Sequence, residues 1–206
     1  MKHVDFWFEF GSTYSYLSAM RLDAVAGAHG VATTWKPFLL GPIFKSFGWE
    51  TSPFEIYKQK GAYMWRDMER RAAKYGLPFQ RLDKASGQIF PQNGVAAARL
   101  ALAGLKSTWG KDFCRAVYHA EFAEGRDISG QELLFALARA AGADQNEIDA
   151  AFSDETKAAL RAQTERAISL GLFGAPSFVA GDELFWGDDR LEDAVIFAKE
   201  MDPAAP

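Results

Sequence analysis

The 206-residue chain has a single cysteine, Cys114, so no intrachain disulfide can form and a disulfide framework is excluded. A thiol without a partner points to a reducing compartment, and a cytoplasmic protein is expected. Histidine is scarce as well: His3, His29 and His119 lack metal-ligand spacing and pair with no nucleophile, so no metal site is expected. Long apolar runs are missing. No uncharged stretch approaches the roughly 20 residues of a membrane-spanning helix. Asp5 and Glu9 interrupt the N-terminal apolar segment, which is only strand-length and does not read as a secretory leader. Excess positive charge is missing too. The net charge is −4 with signs interspersed, which argues against a nucleic-acid partner. What the chain holds in quantity is aromatic residues, 17 Phe, 6 Trp and 6 Tyr. Its length is enough to bury roughly 70% of the unfolded surface in one core.

Residues 4–10, Val-Asp-Phe-Trp-Phe-Glu-Phe, form a dense aromatic strand suited to a mostly buried sheet. Ser12 is a plausible cap for a helix over 13–28, where Leu17, Met20, Ala24 and Val25 share one face. A second strand is expected over 31–39, stopped by Gly41-Pro42. Strand, helix, strand at this spacing is a βαβ unit with parallel neighbours. From 43 to 171 strand signals vanish, and helices are expected over 54–75, 94–105, 110–123, 131–141 and 154–170, the last capped by Ser153. Strands return over 176–180 and 183–186 around a Gly181-Asp182 turn, followed by a helix over 190–201 and a disordered tail, 202–206. The order describes a mixed α/β sheet interrupted by a helical block.

Several residues have both a chemical and a plain structural reading. Ser12 either caps its helix through a backbone N–H or donates its hydroxyl to an anion at the helix N-terminus. Pro176 either marks a strand edge or, in cis, exposes the backbone of Ala175 for strand-like pairing. In Trp186-Gly187-Asp188-Asp189-Arg190 the acids suit a helix start, and the same turn could receive a ligand carboxylate and ammonium. Lys60 is a solvated helix lysine or a point-charge clamp on a carboxylate. Phe38, Phe44, Phe47, Trp49, Phe54, Tyr57, Tyr63 and Trp65 either line a pocket for a flat substrate or form core beneath the helical block. Arg66, Arg70, Arg71 and Lys74, alternating with Asp67 and Glu69, have the look of a solvated helix face. Cys114 reads as a buried small hydrophobe.

Taken in order, Ser12-Thr13-Tyr14-Ser15-Tyr16-Leu17, Trp49-Glu50-Thr51-Ser52-Pro53-Phe54, Lys60-Gly61-Ala62-Tyr63-Met64-Trp65, Phe90-Pro91-Gln92-Asn93, Gly174-Ala175-Pro176-Ser177 and Gly181 to Leu191 resemble the 2-hydroxychromene-2-carboxylate isomerases. That family is similar to kappa-class glutathione transferases within the DsbA-like thioredoxin group, where the strand-to-helix junction usually carries a Cys-x-x-Cys pair. Here Ser12 and Ser15 stand at both positions, which removes disulfide exchange. The resemblance implies a thioredoxin-like domain from 1–42 and 171–206 with a helical insertion over 43–170. It implies glutathione as cofactor and Ser12 as the catalytic hydroxyl. Lys60 would meet the glycyl carboxylate, Ala175 before Pro176 the cysteinyl backbone, and Asp188, Asp189 and Arg190 the γ-glutamyl end. Trp49, Thr51 and Tyr63 would line the pocket of a small aromatic substrate, in a homodimer. Thr13 replaces a proline frequent in the family. Asp188 replaces asparagine or serine, and its extra carboxylate is expected to repel the ligand. The competing activities are a transferase that consumes glutathione and a non-catalytic binding module.

Overall fold

β1 (His3–Phe8) turns Val4, Phe6 and Phe8 to one face and Asp5 and Trp7 to the other, as the two-residue strand period requires. This is a computed structural model describing residues 2–82, 87 and 89–201; the expected tail, 202–206, lies outside the described residues. Both faces of β1 are covered, which is why a near-continuous aromatic strand is tolerated. On one side Phe6 stacks on Phe8 and on Phe178, at centroid separations of 5.2 and 5.4 Å. On the other, Trp7 meets Phe38 edge-on at 6.0 Å.

α1 (Thr13–His29) carries the chain back, and β2 (Ala32–Pro37) pairs parallel with β1, His3 opposite Ala32 and Phe8 opposite Pro37. β3 (Ser177–Ala180) joins the opposite edge of β1 antiparallel, and β4 (Glu183–Trp186) follows it as a hairpin. The sheet order is therefore β2-β1-β3-β4, the α/β arrangement expected from the sequence.

Between β2 and β3 the chain forms α2 (Leu40–Ser46), α3 (Pro53–Ile56), α4 (Lys58–Tyr75), α5 (Val95–Gly104), α6 (Gly110–Phe122), α7 (Gln131–Ala141), α8 (Gln145–Ala151) and α9 (Asp154–Ser169). α10 (Leu191–Glu200) ends the described fold. Leu17 and Leu22 of α1 and Leu191 and Val195 of α10 are buried in the core that holds Phe6 and Phe8. Ile43 of α2, Ala167 of α9 and Leu172 form a second core on the Trp7 face. The helix expected over 54–75 is broken at Tyr57, whose ψ of 93° is extended. Gly61 makes that corner possible, because a Cβ there would lie 2.3 Å from the Phe54 carbonyl oxygen.

α5 and α6 approach each other closely at Gly104 and Gly110. A Cβ on Gly110 would stand 2.3 Å from the carbonyl carbon of Gly104 and from the amide nitrogen of Leu105. Backbone cannot rotate away as a side chain can, so Gly110→Ala must push the helices apart. Overpacking of this kind costs about 3 kcal/mol. The expected result is a lower urea midpoint at unchanged slope, whereas an unchanged midpoint would contradict the close contact.

Candidate functional site

The β1–α1 junction turns tightly, with the Ser12 N–H donating to the Glu9 carbonyl at 3.1 Å. Ser12 itself is extended (φ −91°, ψ 111°) and caps α1, its Oγ accepting from the Ser15 N–H at 3.2 Å. The same hydroxyl donates to the Ala175 carbonyl at 2.8 Å. The capping reading of Ser12 is met, while its hydroxyl proton is engaged by a backbone carbonyl rather than by an anion. The lone pair serves the helix, while the proton is aimed across the junction at the residue preceding cis-Pro176. A hydroxyl donor next to unsatisfied amides of a 17-residue helix favours a negative charge at that spot.

Around this point lies a cavity of about 1090 Å³. Its walls come from the junction, from α2 through α4, from residues 90–95, and from the loops on either side of the β3–β4 hairpin. Ser12, Lys60, Ala175, Asp188, Asp189, Trp49, Thr51 and Tyr63 all line it. The aromatic cluster divides: Phe38 and Trp65 are buried core, whereas Phe44, Trp49, Phe54 and Tyr63 face the cavity. The Lys60 Nζ sits 4.9 Å from the centre of the exposed Tyr57 ring. Phe173 and Trp186 also line the cavity and contact each other at 4.9 Å while remaining half exposed.

Two expected contacts need correction. Arg190 is exposed, bonded to Asp189 at 3.0 Å and Asp193 at 2.6 Å, and lies outside the cavity lining. The Asp188 carboxylate is fully buried rather than presented to a ligand. Ser18 Oγ donates to it at 2.9 Å, Arg21 at 3.1 Å, and Arg71 through Nε at 3.1 Å and a terminal nitrogen at 2.5 Å. Two guanidiniums match its charge, so the repulsion expected from a carboxylate at this position does not arise. Asp188 contributes its backbone to the cavity wall. Gly187 sets that turn: its φ of +108° is a left-handed conformation that favours glycine, and its N–H bonds the Pro176 carbonyl at 2.9 Å. Pro176 is buried behind Ala175.

Glu9, Tyr14, Asp67 and Arg71 also line the cavity, although the sequence reading gave none of them a role there. The Tyr14 hydroxyl donates to Asp67 at 2.9 Å, and burial followed by that bond raises the phenol above its ordinary range. Burial works against the Arg71 charge, but the bond and attraction from Asp188 raise its affinity for the proton. Asp67 and Arg71 are thus not the solvated face expected of them. Their spacing carried a signal, since Lys60, Tyr63, Asp67 and Arg71 fall at i, i+3, i+7 and i+11 on one stripe of α4. Glu9 is half-buried at the end of β1, and burial pushes its carboxyl up to about 7 against a weaker pull from the Gly11 N–H. Cys114 is buried, and burial pushes its thiol far up.

Among the described residues no cluster of His, Cys, Asp or Glu has metal-binding geometry, and no helix is long and apolar enough to cross a membrane.

Residues 3–195 match the family described as DSBA-like thioredoxin domain. A 2-hydroxychromene-2-carboxylate isomerase of Sphingobium xenophagum is 30% identical over 93% of this chain and 95% of its own length. Glutathione s-transferase kappa 2 of Caenorhabditis elegans is 27% identical over 97% of this chain and 92% of its own. The solved structure of a 2-hydroxychromene-2-carboxylate isomerase superposes with a TM-score of 0.77 at 26% identity, covering 92% of this chain and 90% of that one. With a serine pair where a redox protein has cysteines, and with likeness of this extent in sequence and fold, the chain belongs to the DsbA-like thioredoxin family and, within it, to the 2-hydroxychromene-2-carboxylate isomerases.

Proposed function

We propose that this chain is a glutathione-dependent isomerase of 2-hydroxychromene-2-carboxylate-type aromatic acids, in which Ser12 keeps the glutathione sulfur ionised. The observation that carries the reading is the Ser12 hydroxyl, capping α1 and aimed at the Ala175 carbonyl on the cavity wall. An extended cysteinyl backbone pairing with Ala175 would supply an N–H to that carbonyl. The hydroxyl proton is then released from Ala175 and free to turn towards the ligand's sulfur. A hydrogen bond to a charged group contributes about 1.5–3 kcal/mol net, enough to lower a thiol pKa by about one to two units.

The donor set fits glutathione along its length. Lys60 offers a cation for the glycyl carboxylate, Ala175 a backbone edge for the cysteinyl unit, and the turn at Asp188 and Asp189 polar groups for the γ-glutamyl end. A cavity of about 1090 Å³ has room for the tripeptide and a flat aromatic acid together, being at the upper end of ordinary ligand sites. When bound, glutathione supplies a sulfur nucleophile that adds reversibly to a conjugated carbonyl and so permits rotation about the former double bond. Trp49, Tyr63 and the Phe173–Trp186 pair line the cavity and offer faces against which an aromatic ring can be held.

Likeness to a kappa glutathione transferase favours one rival, transfer of glutathione to an electrophile. The test is to incubate the protein with glutathione and 2-hydroxychromene-2-carboxylate and analyse the products. Isomerisation with glutathione undiminished is expected. A stable sulfur conjugate formed in step with glutathione loss favours the transferase, and isomerisation equally fast without glutathione removes the proposal.

A further inference from the structure

We propose that Glu9 takes up the thiol proton as glutathione binds, so that the thiolate forms beside Ser12 without releasing its proton to solvent. The inference rests on the glutathione reading and adds a proton acceptor to it. On binding, the sulfur–hydrogen bond breaks and an oxygen–hydrogen bond forms on the Glu9 carboxylate. The proton returns to sulfur when glutathione leaves as the thiol.

The placement of Glu9 is the first reason. Its backbone carbonyl accepts the Ser12 N–H, so carboxylate and hydroxyl belong to one tight turn, and both residues line the same cavity. The side chain folds back over that turn. A Cβ on Gly11 would lie 3.2 Å from Glu9 Oε2, and a Cβ on Gly94 would lie 3.1 Å from Oε1. The carboxylate is therefore wedged between the junction and the start of α5, where two glycines leave room for it.

The second reason is what surrounds it. A half-buried carboxylate ordinarily has an arginine, a lysine or several donors. Among the described residues Glu9 has the Gly11 N–H and no cation. From α6 it faces Tyr118, whose hydroxyl bonds the Glu9 backbone carbonyl at 3.0 Å, and Glu121. Glu121 is fully buried with neither carboxylate oxygen partnered among the described residues, and burial, followed by the charges of Glu9 and Asp127, raises its carboxyl well above the ordinary carboxylate range. From the α5 side it meets the Gly94 backbone, which brings no charge. Across the cavity, Lys60, Asp67 and Arg71 are the charged lining of α4, with Asp67 tied to Tyr14 and Arg71 to Asp188. A surrounding of this kind makes Glu9 a willing proton acceptor near neutral pH. Ser12 can stabilise a thiolate by donating, but its hydroxyl is too weak a base to receive the thiol's proton. Glu9 can receive it.

The test counts protons rather than turnover. Reduced glutathione is titrated into wild type and Glu9→Gln at about pH 8, where the free thiol, at about 8.5, is mostly protonated. Glu9, held at about 7 by burial, is mostly ionised beforehand, and the new thiolate beside it raises its proton affinity enough to hold the proton. Calorimetry in two buffers of different ionisation enthalpy gives the protons released, and ultraviolet absorbance gives the thiolate formed. Wild type is expected to release distinctly fewer protons than it forms thiolates, and Glu9→Gln about one per thiolate. S-methylglutathione, which has no thiol proton, should abolish the difference. Glu9→Asp should restore part of the wild-type deficit. The amide replaces a poorly solvated carboxylate with a similar shape, so Glu9→Gln should unfold at or above the wild-type temperature. Equal proton release by wild type and a folded Glu9→Gln overturns the role of Glu9 and leaves the glutathione reading standing. No binding of glutathione by wild type overturns both.

Discussion

Ser12→Ala is expected to raise the apparent pKa of bound glutathione by about one to two units, the equivalent of losing one charge-assisted hydrogen bond. At neutral pH that removes most of the thiolate, and isomerisation should fall by about 10–100-fold. The measurement is thiolate absorbance against pH at saturating glutathione, in wild type and variant. The substitution also removes structure. Loss of the N-cap bond from Ser15 N–H costs about 1 kcal/mol, and loss of the bond to the Ala175 carbonyl a similar amount. Lower stability alone therefore does not identify a catalytic hydroxyl. Ser12→Asp separates the two roles: aspartate is among the best N-caps, so stability should recover, but its carboxylate repels a neighbouring thiolate and ionisation should be poorer still. Should Ser12→Asp restore thiolate formation along with stability, Ser12 is a cap and nothing more.

The sheet was legible because its signals are local. The aromatic strand at 4–10, the capping serine at 12 and the Gly181-Asp182 turn each determine their own few residues, and β1, α1 and the β3–β4 hairpin follow. Strand β1 stops at Phe8 rather than Phe10 because the Ser12 N–H folds back to the Glu9 carbonyl. α2 was hidden by Gly41-Pro42, which reads as a stop but here lies in a first helical turn, where a missing N–H does no harm. α8 was readable in principle: Asp144 and Glu147 form a capping box, and that pair stands in the sequence three residues apart. The site divides in the same way. Ser12, Lys60 and Ala175 are prominent within their own segments. Glu9 and Arg71 matter because β1, α4 and the 187–189 turn converge; the stripe on α4 sets Arg71 on the face of Lys60 but does not reveal the Asp188 it meets.

Asp188 is expected to carry the largest stability effect among these groups. It joins three segments far apart in sequence: Ser18 and Arg21 on α1, Arg71 on α4, and its own turn before α10. Arg21 is further held by Glu192 and stacks over the Tyr75 ring at 3.6 Å. Truncation to alanine leaves a hydroxyl and two guanidiniums facing a hole that no water-exposed anion fills. Removing one partner of a buried charge cluster costs about 3–5 kcal/mol, so Asp188→Ala should lose that much in urea unfolding. Asp188→Asn preserves shape but turns an amide donor toward a guanidinium, and should recover only part. Arg71→Ala alone leaves Asp188 its bonds to Arg21 and Ser18 and should cost less. The double variant Asp188→Ala with Arg71→Ala should fall well short of the sum, because the second change removes a charge already stranded by the first. Strict additivity, or a loss under about 1 kcal/mol for Asp188→Ala, would place the holding force elsewhere. Because this cluster ties the helical segment bearing Lys60 to the turn before α10, its loss should also weaken glutathione binding, even though the Asp188 side chain never faces the cavity.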